Sequence, residues 1–217
     1  MKHTSTNPTH NTRYLYPLNF FPLHSQFTET IMVDGLYWDN WYGTGDQKVP
    51  PQDQGVLYEN RLLGLPRLRQ IRVQSAQCPI PHSFRRLVRI CYPPYDQTVD
   101  EKGVYSFKGD ESNATSMKTW KNYFEQSALN GSSYWGKLAT YTGGGAYFLL
   151  STNKLDTLQS LNELKNELWI TRSTRVIFLD FTLYNANVNL FCVVKLVWEF
   201  PATGGLTTSW SKLLNFP

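Results

Sequence analysis

The chain predicts an α+β fold built on an antiparallel sheet, and three stretches carry that expectation. From Arg175 to Tyr184 apolar and polar residues alternate strictly, with Ile177, Leu179, Phe181 and Leu183 on one face. A period of two is the mark of a strand buried on one side. Asn185-Ala-Asn-Val-Asn189 interrupts the pattern. Leu190–Phe200 then resumes it as a second long strand, stopped by Pro201 and Gly204-Gly205. Against this pair stands Asp156–Leu168, where Leu155, Leu158, Leu161, Leu164 and Leu168 recur at helical spacing.

The remaining elements follow in chain order. Residues 1–26 hold three of the four histidines, several prolines and no periodicity, and read as a poorly ordered leader. Phe27–Trp41 is aromatic, and Gly43–Gln54 is a loop rich in Gly, Pro and Asp. Leu68–Gln74 alternates, Ile71 and Val73 against Gln70, Arg72 and Gln74, which predicts a half-exposed strand. Ser83 stands at a helix-cap position before Phe84, Leu87, Val88 and Cys91, spaced for a short amphipathic helix that ends at Tyr92-Pro93-Pro94. Thr98–Asn113 is a polar loop, and Lys118–Phe124 fits helix or strand equally well. Tyr134–Tyr141 and Tyr147–Leu150 flank Gly143-Gly144-Gly145 and predict a hairpin. Strands and hairpins with two helices make an α+β layer domain.

Composition narrows the functional classes. At 217 residues, with 41% hydrophobic and 18% charged residues, the chain is sized and balanced for one globular domain. A formal charge of +4 is too small to argue for nucleic acid. The arginines gather in two groups, Arg61, Arg67, Arg69 and Arg72, then Arg85, Arg86 and Arg89. Each group reads as a solvated or salt-bridged face, or as an interface to another subunit. No apolar run reaches the length of a membrane helix, and no signal peptide opens the chain.

Cys78 and Cys91 bracket a short segment, while Cys192 lies in a strand-like run. A disulfide between the first two would imply an oxidising compartment, but spacing alone leaves it open. A helix ending at Cys91 would place that thiol on a buried face, able to point back at Cys78. Asn113-Ala-Thr and Asn130-Gly-Ser are glycosylation acceptors, and no more than permissive.

Catalytic signatures are missing: the sequence holds no phosphate-loop motif, no nucleophile elbow, no H-E-x-x-H and no C-x-x-C. Gly143–Gly145 is followed by a strand and not by the helix a phosphate cradle needs. His82 and the three leader histidines do not converge on a metal-ligand spacing. Asp180, the one acid in its aliphatic strand, reads as a paired structural carboxylate. No enzyme activity, cofactor or metal is expected.

Several blocks resemble one family. Asp34-Gly-Leu-Tyr-Trp38, Tyr58-Glu-Asn60 and Leu63-Gly-Leu-Pro-Arg-Leu-Arg-Gln-Ile-Arg-Val73 are similar to the start of the polycystin domain. Asn130-Gly-Ser-Ser-Tyr-Trp-Gly136 with Tyr141-Thr-Gly-Gly-Gly-Ala-Tyr147 resembles its middle. Phe178–Val194, running through Tyr184-Asn-Ala-Asn-Val-Asn189, and Glu199-Phe-Pro-Ala-Thr-Gly-Gly205 look like its C-terminal signature. The blocks run in order over residues 27–210, leaving 211–217 as a connection toward a membrane helix.

The resemblance implies a five-stranded antiparallel sheet packed with about three helices, a disulfide-bearing loop or hairpin lobe, and a Cys78–Cys91 pair. It also implies a setting: extracellular or lumenal, between the first two membrane helices of a TRP-related channel of ciliary, plasma or endoplasmic-reticulum membrane. Such a channel is non-selective, with calcium among its permeant ions. Four copies, as a homotetramer or with other polycystin subunits, hold the channel together and couple to gating. Arg69, Arg72, Trp169 and Arg175 match family positions and are expected to carry architecture or interfaces. Arg69 and Arg72 leave one strand in opposite directions, so at most one faces solvent freely. The unmatched leader and missing flanking helices point to a piece of a longer protein. A receptor-like, polycystin-1-type subunit and a ligand or adhesion module are the alternative readings.

Overall fold

The structure is a computed structural model that describes residues 27–39, 48–50, 55–57, 59–104 and 119–215. The expected leader and Asn113 lie outside these residues. A π-helical turn, Thr28–Met32, runs into α1, Val33–Leu36. Then follow β1, Asn60–Arg72, and a small pair, β2 Ala76–Gln77 and β3 Ile90–Cys91. A 3-10 turn at Thr119–Lys121 precedes α2, Gln126–Leu129, then β4 Tyr134–Trp135, β5 Thr140–Tyr141 and β6 Ala146–Leu149. The long elements come last: α3 Lys154–Asn166, β7 Thr174–Asn185, β8 Leu190–Glu199 and β9 Thr207–Asn215.

Five strands form one antiparallel sheet in the order β6-β1-β7-β8-β9. This is the sheet the resemblance implies, and the described residues include three α-helices beside it. The alternation of β7 decides its two faces. Ile177 and Leu179 join Leu68, Trp198, Val33, Leu36, Leu161, Leu164 and Trp169 in an apolar core beneath the helices. Val176 and Phe178 point the other way and pack with Ile71, Val197 and Tyr141, partly roofed by Tyr95, Tyr134 and Ala139. One face is thus sealed by helices, the other by hairpins and straps.

α3 starts where Asn153 accepts a hydrogen bond from Leu155 N at 3.0 Å. It buries Thr157, Leu161 and Leu164, while Leu155 and Leu168 are exposed. The leucine periodicity therefore overstates the buried stripe at both ends, and Leu168 has already left the helix at φ 51°.

Three local expectations are corrected. Leu68–Val73 is buried on both faces and not half exposed, because the polar residues of its second face enter an internal network. Ser83–Cys91 is not a helix. A 3-10 turn, His82–Phe84, is all that forms, and Cys91 lies in β3 opposite Ala76. A stripe of three or four apolar residues does not hold so short a helix without a core to receive it, and Phe84, Leu87 and Val88 are exposed. Gly143–Gly145 does not turn a hairpin either. β5 pairs with β4, and β6 pairs with β1, so the glycines form a strap between two sheets. A Cβ on Gly145 would come within 2.5 Å of Gln70 O, and its φ of +132° excludes other residues without strain. Lys118–Phe124, open in the sequence, contains the 3-10 turn and two isolated bridges, Val104↔Asn122 and Phe124↔Gly145.

Candidate functional site: a disulfide lobe rooted on buried arginines

Cys78 and Cys91 form a disulfide, with Cα atoms 5.0 Å apart, across the base of the β2–β3 pair. The twelve-residue loop it closes is exposed except at half-buried Ile80, with Phe84, Leu87, Val88 and Ile90 in solvent among Arg85, Arg86 and Arg89. Such a loop buries too little to hold itself, so its position depends on its root.

Arg175 supplies that root. From the start of β7 its guanidinium reaches back to the residues after Cys91, with Nε donating to Pro93 O at 2.9 Å and Nη2 to Tyr92 O at 2.7 Å. Nη1 donates to Arg172 O and Thr174 O, closing the junction between α3 and β7. Burial lowers its pKa, yet an arginine stays charged across the physiological range.

Arg69 and Arg72 are both buried, 2% and 4% exposed, so neither faces solvent. Their spacing sends them to opposite faces. Arg69 lies over the Phe178 ring at 3.9 Å and donates to Thr142 O at 3.0 Å and Gly144 O at 2.6 Å, fastening the glycine strap to the sheet. Burial brings its pKa down to about 10. Arg72 turns to the helix side, where it donates to Gln70 Oε1 at 3.0 Å and Trp169 O at 2.5 Å. Gln70 Nε2 shares the Trp169 carbonyl at 2.9 Å. Trp169 is buried in the helix-side core while its carbonyl takes both donors. All three arginines bond backbone carbonyls through a planar fork that lysine does not have.

The sequence reading missed Glu199. It is fully buried at the end of β8, and its carboxylate accepts from Lys137 N at 3.0 Å, Leu138 N at 2.9 Å and Tyr141 OH at 3.0 Å. The β4–β5 turn is thereby clamped to the sheet, and burial beside Glu199 raises the Tyr141 pKa. A glutamate closing an apolar strand on its buried side was the available signal. Asp180 is paired, with Arg67 at 3.3 Å and Lys195 at 3.6 Å. Asn130 is exposed with φ 46° at the end of α2. Among the described residues no group of three His, Cys, Asp or Glu side chains gathers as a metal would require, and no helix is long and apolar enough to cross a membrane.

This arrangement positions backbone. A family model described as the polycystin domain matches residues 19–213. The chain belongs to the polycystin family. The polycystin domain seen here is 43% identical over 199 residues to polycystin-2 of Danio rerio, covering 89% of this chain and 21% of that protein. It is 40% identical over 195 residues to human polycystin-2-like protein 2, covering 88% and 30%. Against mouse polycystin-1-like protein 3 the identity is 32% over 187 residues, covering 85% and 8%. The chain thus spans less than a third of the length of these relatives.

Proposed function

We propose that this polycystin domain is the extracytosolic part of a non-selective, calcium-permeable cation channel, where it holds four subunits together and couples their packing to gating. One observation carries the reading: a lobe fixed at its base by the disulfide and Arg175 that presents an apolar and basic surface, left exposed by the described residues. Arginine and aromatic side chains held on a firm support are common anchors of protein interfaces, and exposed aliphatic neighbours add area that a partner can bury. The disulfide supports an oxidising, lumenal or extracellular compartment, with Asn130 and Asn113 as glycan acceptors. Higher identity to the polycystin-2 proteins than to polycystin-1-like protein 3 favours the pore-forming branch over the receptor-like one. Homomeric and mixed tetramers both satisfy this surface.

The test places this domain in Danio rerio polycystin-2 in exchange for its own. Native electrophoresis and calcium current are then recorded with and without Leu87→Asp and Arg86→Glu. A tetrameric, conducting chimera that both substitutions dissociate is the expected result. Unchanged assembly in the substituted chimeras sinks the reading.

A further inference from the structure

Asp100 is the buried acid that neither the fold nor the proposed contact accounts for. It is 2% exposed and forms no ion pair with a described residue. Its Oδ2 accepts from Tyr123 OH at 3.1 Å and Thr142 Oγ1 at 3.4 Å, whereas Oδ1 is buried with no hydrogen-bond partner. An ionised carboxylate with one oxygen unpaired is costly inside a protein, and protonation removes the part of that cost due to the charge.

The residue also sits at a joint. Its backbone bridges Val73, its carbonyl accepts from Gln74 Nε2 at 3.2 Å, and the flanking Val99 and Glu101 bond Gln74 and Arg72. Its side chain ties this strap to the glycine strap at Thr142 and to the Tyr123 segment. The strap leads back through Tyr95 and Pro93 to Cys91, so it carries the lobe together with the Arg175 root. We propose that Asp100 is a proton-operated lock: with a proton on Oδ1 it fastens the strap that carries the disulfide lobe, and ionised it releases it.

The surroundings set the direction. Tyr123 and Thr142 donate to the carboxylate, and Lys102 on its own strap favours the charged form. Glu125 from the Tyr123 segment and Glu101 beside it disfavour that form. Tyr95 reaches Thr142 at 3.5 Å, and Arg69 holds the Thr142 carbonyl and not the acid itself. Burial is the largest influence and raises the Asp100 pKa. A raised folded-state value gives stability that is complete below the ordinary carboxylate range and is lost as pH rises through the raised value.

The consequence for assembly rests on the proposed function; the lock itself does not. The measurement is the rate at which a phosphine reductant opens Cys78–Cys91 in the dilute 217-residue chain, scanned upward in pH from below the ordinary carboxylate range, about pH 3, to about pH 8, and normalised to the same chain in urea. Native mass spectrometry of a concentrated sample runs beside it. Reduction several-fold slower at the acid end is expected, with a flat, slow profile for Asp100→Asn and a midpoint moved upward for Tyr123→Phe, which removes a donor to the carboxylate. Parallel profiles for the unaltered chain and Asp100→Asn overturn the lock. Should Asp100→Asn not fold, the carboxyl carbon-13 titration of Asp100 decides: a midpoint at or below ordinary carboxylate values overturns it. A retained slope without tetramers sinks the assembly reading alone, and tetramers without a slope sink the lock alone.

Discussion

The two faces of the sheet are held in different ways. Beneath the helices, Leu68, Ile177, Leu179 and Trp198 meet α1 and α3 in a mainly apolar core, with Arg72 and Gln70 adding one polar tie at the Trp169 carbonyl. On the other face the roof is made of straps with few apolar residues, and Arg69, Arg175 and Glu199 tie it down through backbone carbonyls and N–H groups. Burial of apolar area is non-directional and tolerates substitution by volume. Hydrogen bonds to fixed backbone atoms position a loop to within tenths of an ångström but fail as a unit when one donor is lost. The lobe face is therefore the addressable one: what it presents depends on a few named side chains.

Neighbouring residues on β1 put the contrast to the largest test. Leu68→Ala, on the helix side, and Arg69→Met, on the lobe side, are each expected to destabilise by about 3 kcal/mol in urea unfolding. They should differ in where the loss appears. Hydrogen exchange is expected to rise throughout the sheet for the first and at Thr142–Gly145 for the second, and identical maps would erase the distinction. Next comes the disulfide. Cys78→Ser with Cys91→Ser removes a cross-link over 13 residues, for a loss of about 3 kcal/mol or somewhat less. Near-ultraviolet circular dichroism from the helix-side Trp169 and Trp198 is expected to stay native at low temperature; its collapse would mean that the two faces fold as one. The smallest effect lies at the helix end, where exposed Leu168 adopts φ 51°. Leu168→Gly is expected to raise thermal stability by about 1 kcal/mol without touching the lobe.

The long elements were legible because each has a period and a single buried side. β7 and β8 appear within a residue or two of the expected bounds, and the helix of leucines starts two residues early. β9 was not read: Thr207–Asn215 is an edge strand with Trp210, Leu213 and Leu214 exposed, so it carries no clean alternation. The false helix at Ser83–Cys91 shows the opposite error, an amphipathic spacing with no core to receive it. At the site, the disulfide and the four family positions came from resemblance. The roles of Gln70, Asp100 and Tyr141 left no local trace because most of their partners, side chains and backbone atoms alike, lie tens of residues away.

By itself the sequence determined the strand-rich, helix-capped layering and the family, since periodicity and ordered motif blocks are properties of the chain read locally. Only the tertiary structure decided that Arg69 and Arg72 are both buried, that the glycines make a strap and not a turn, and that Asp100 is buried with one oxygen bonded and the other without a partner. The reason is physical: a polar side chain is solvated, paired or stranded according to what the rest of the chain brings to it, and no local pattern records that.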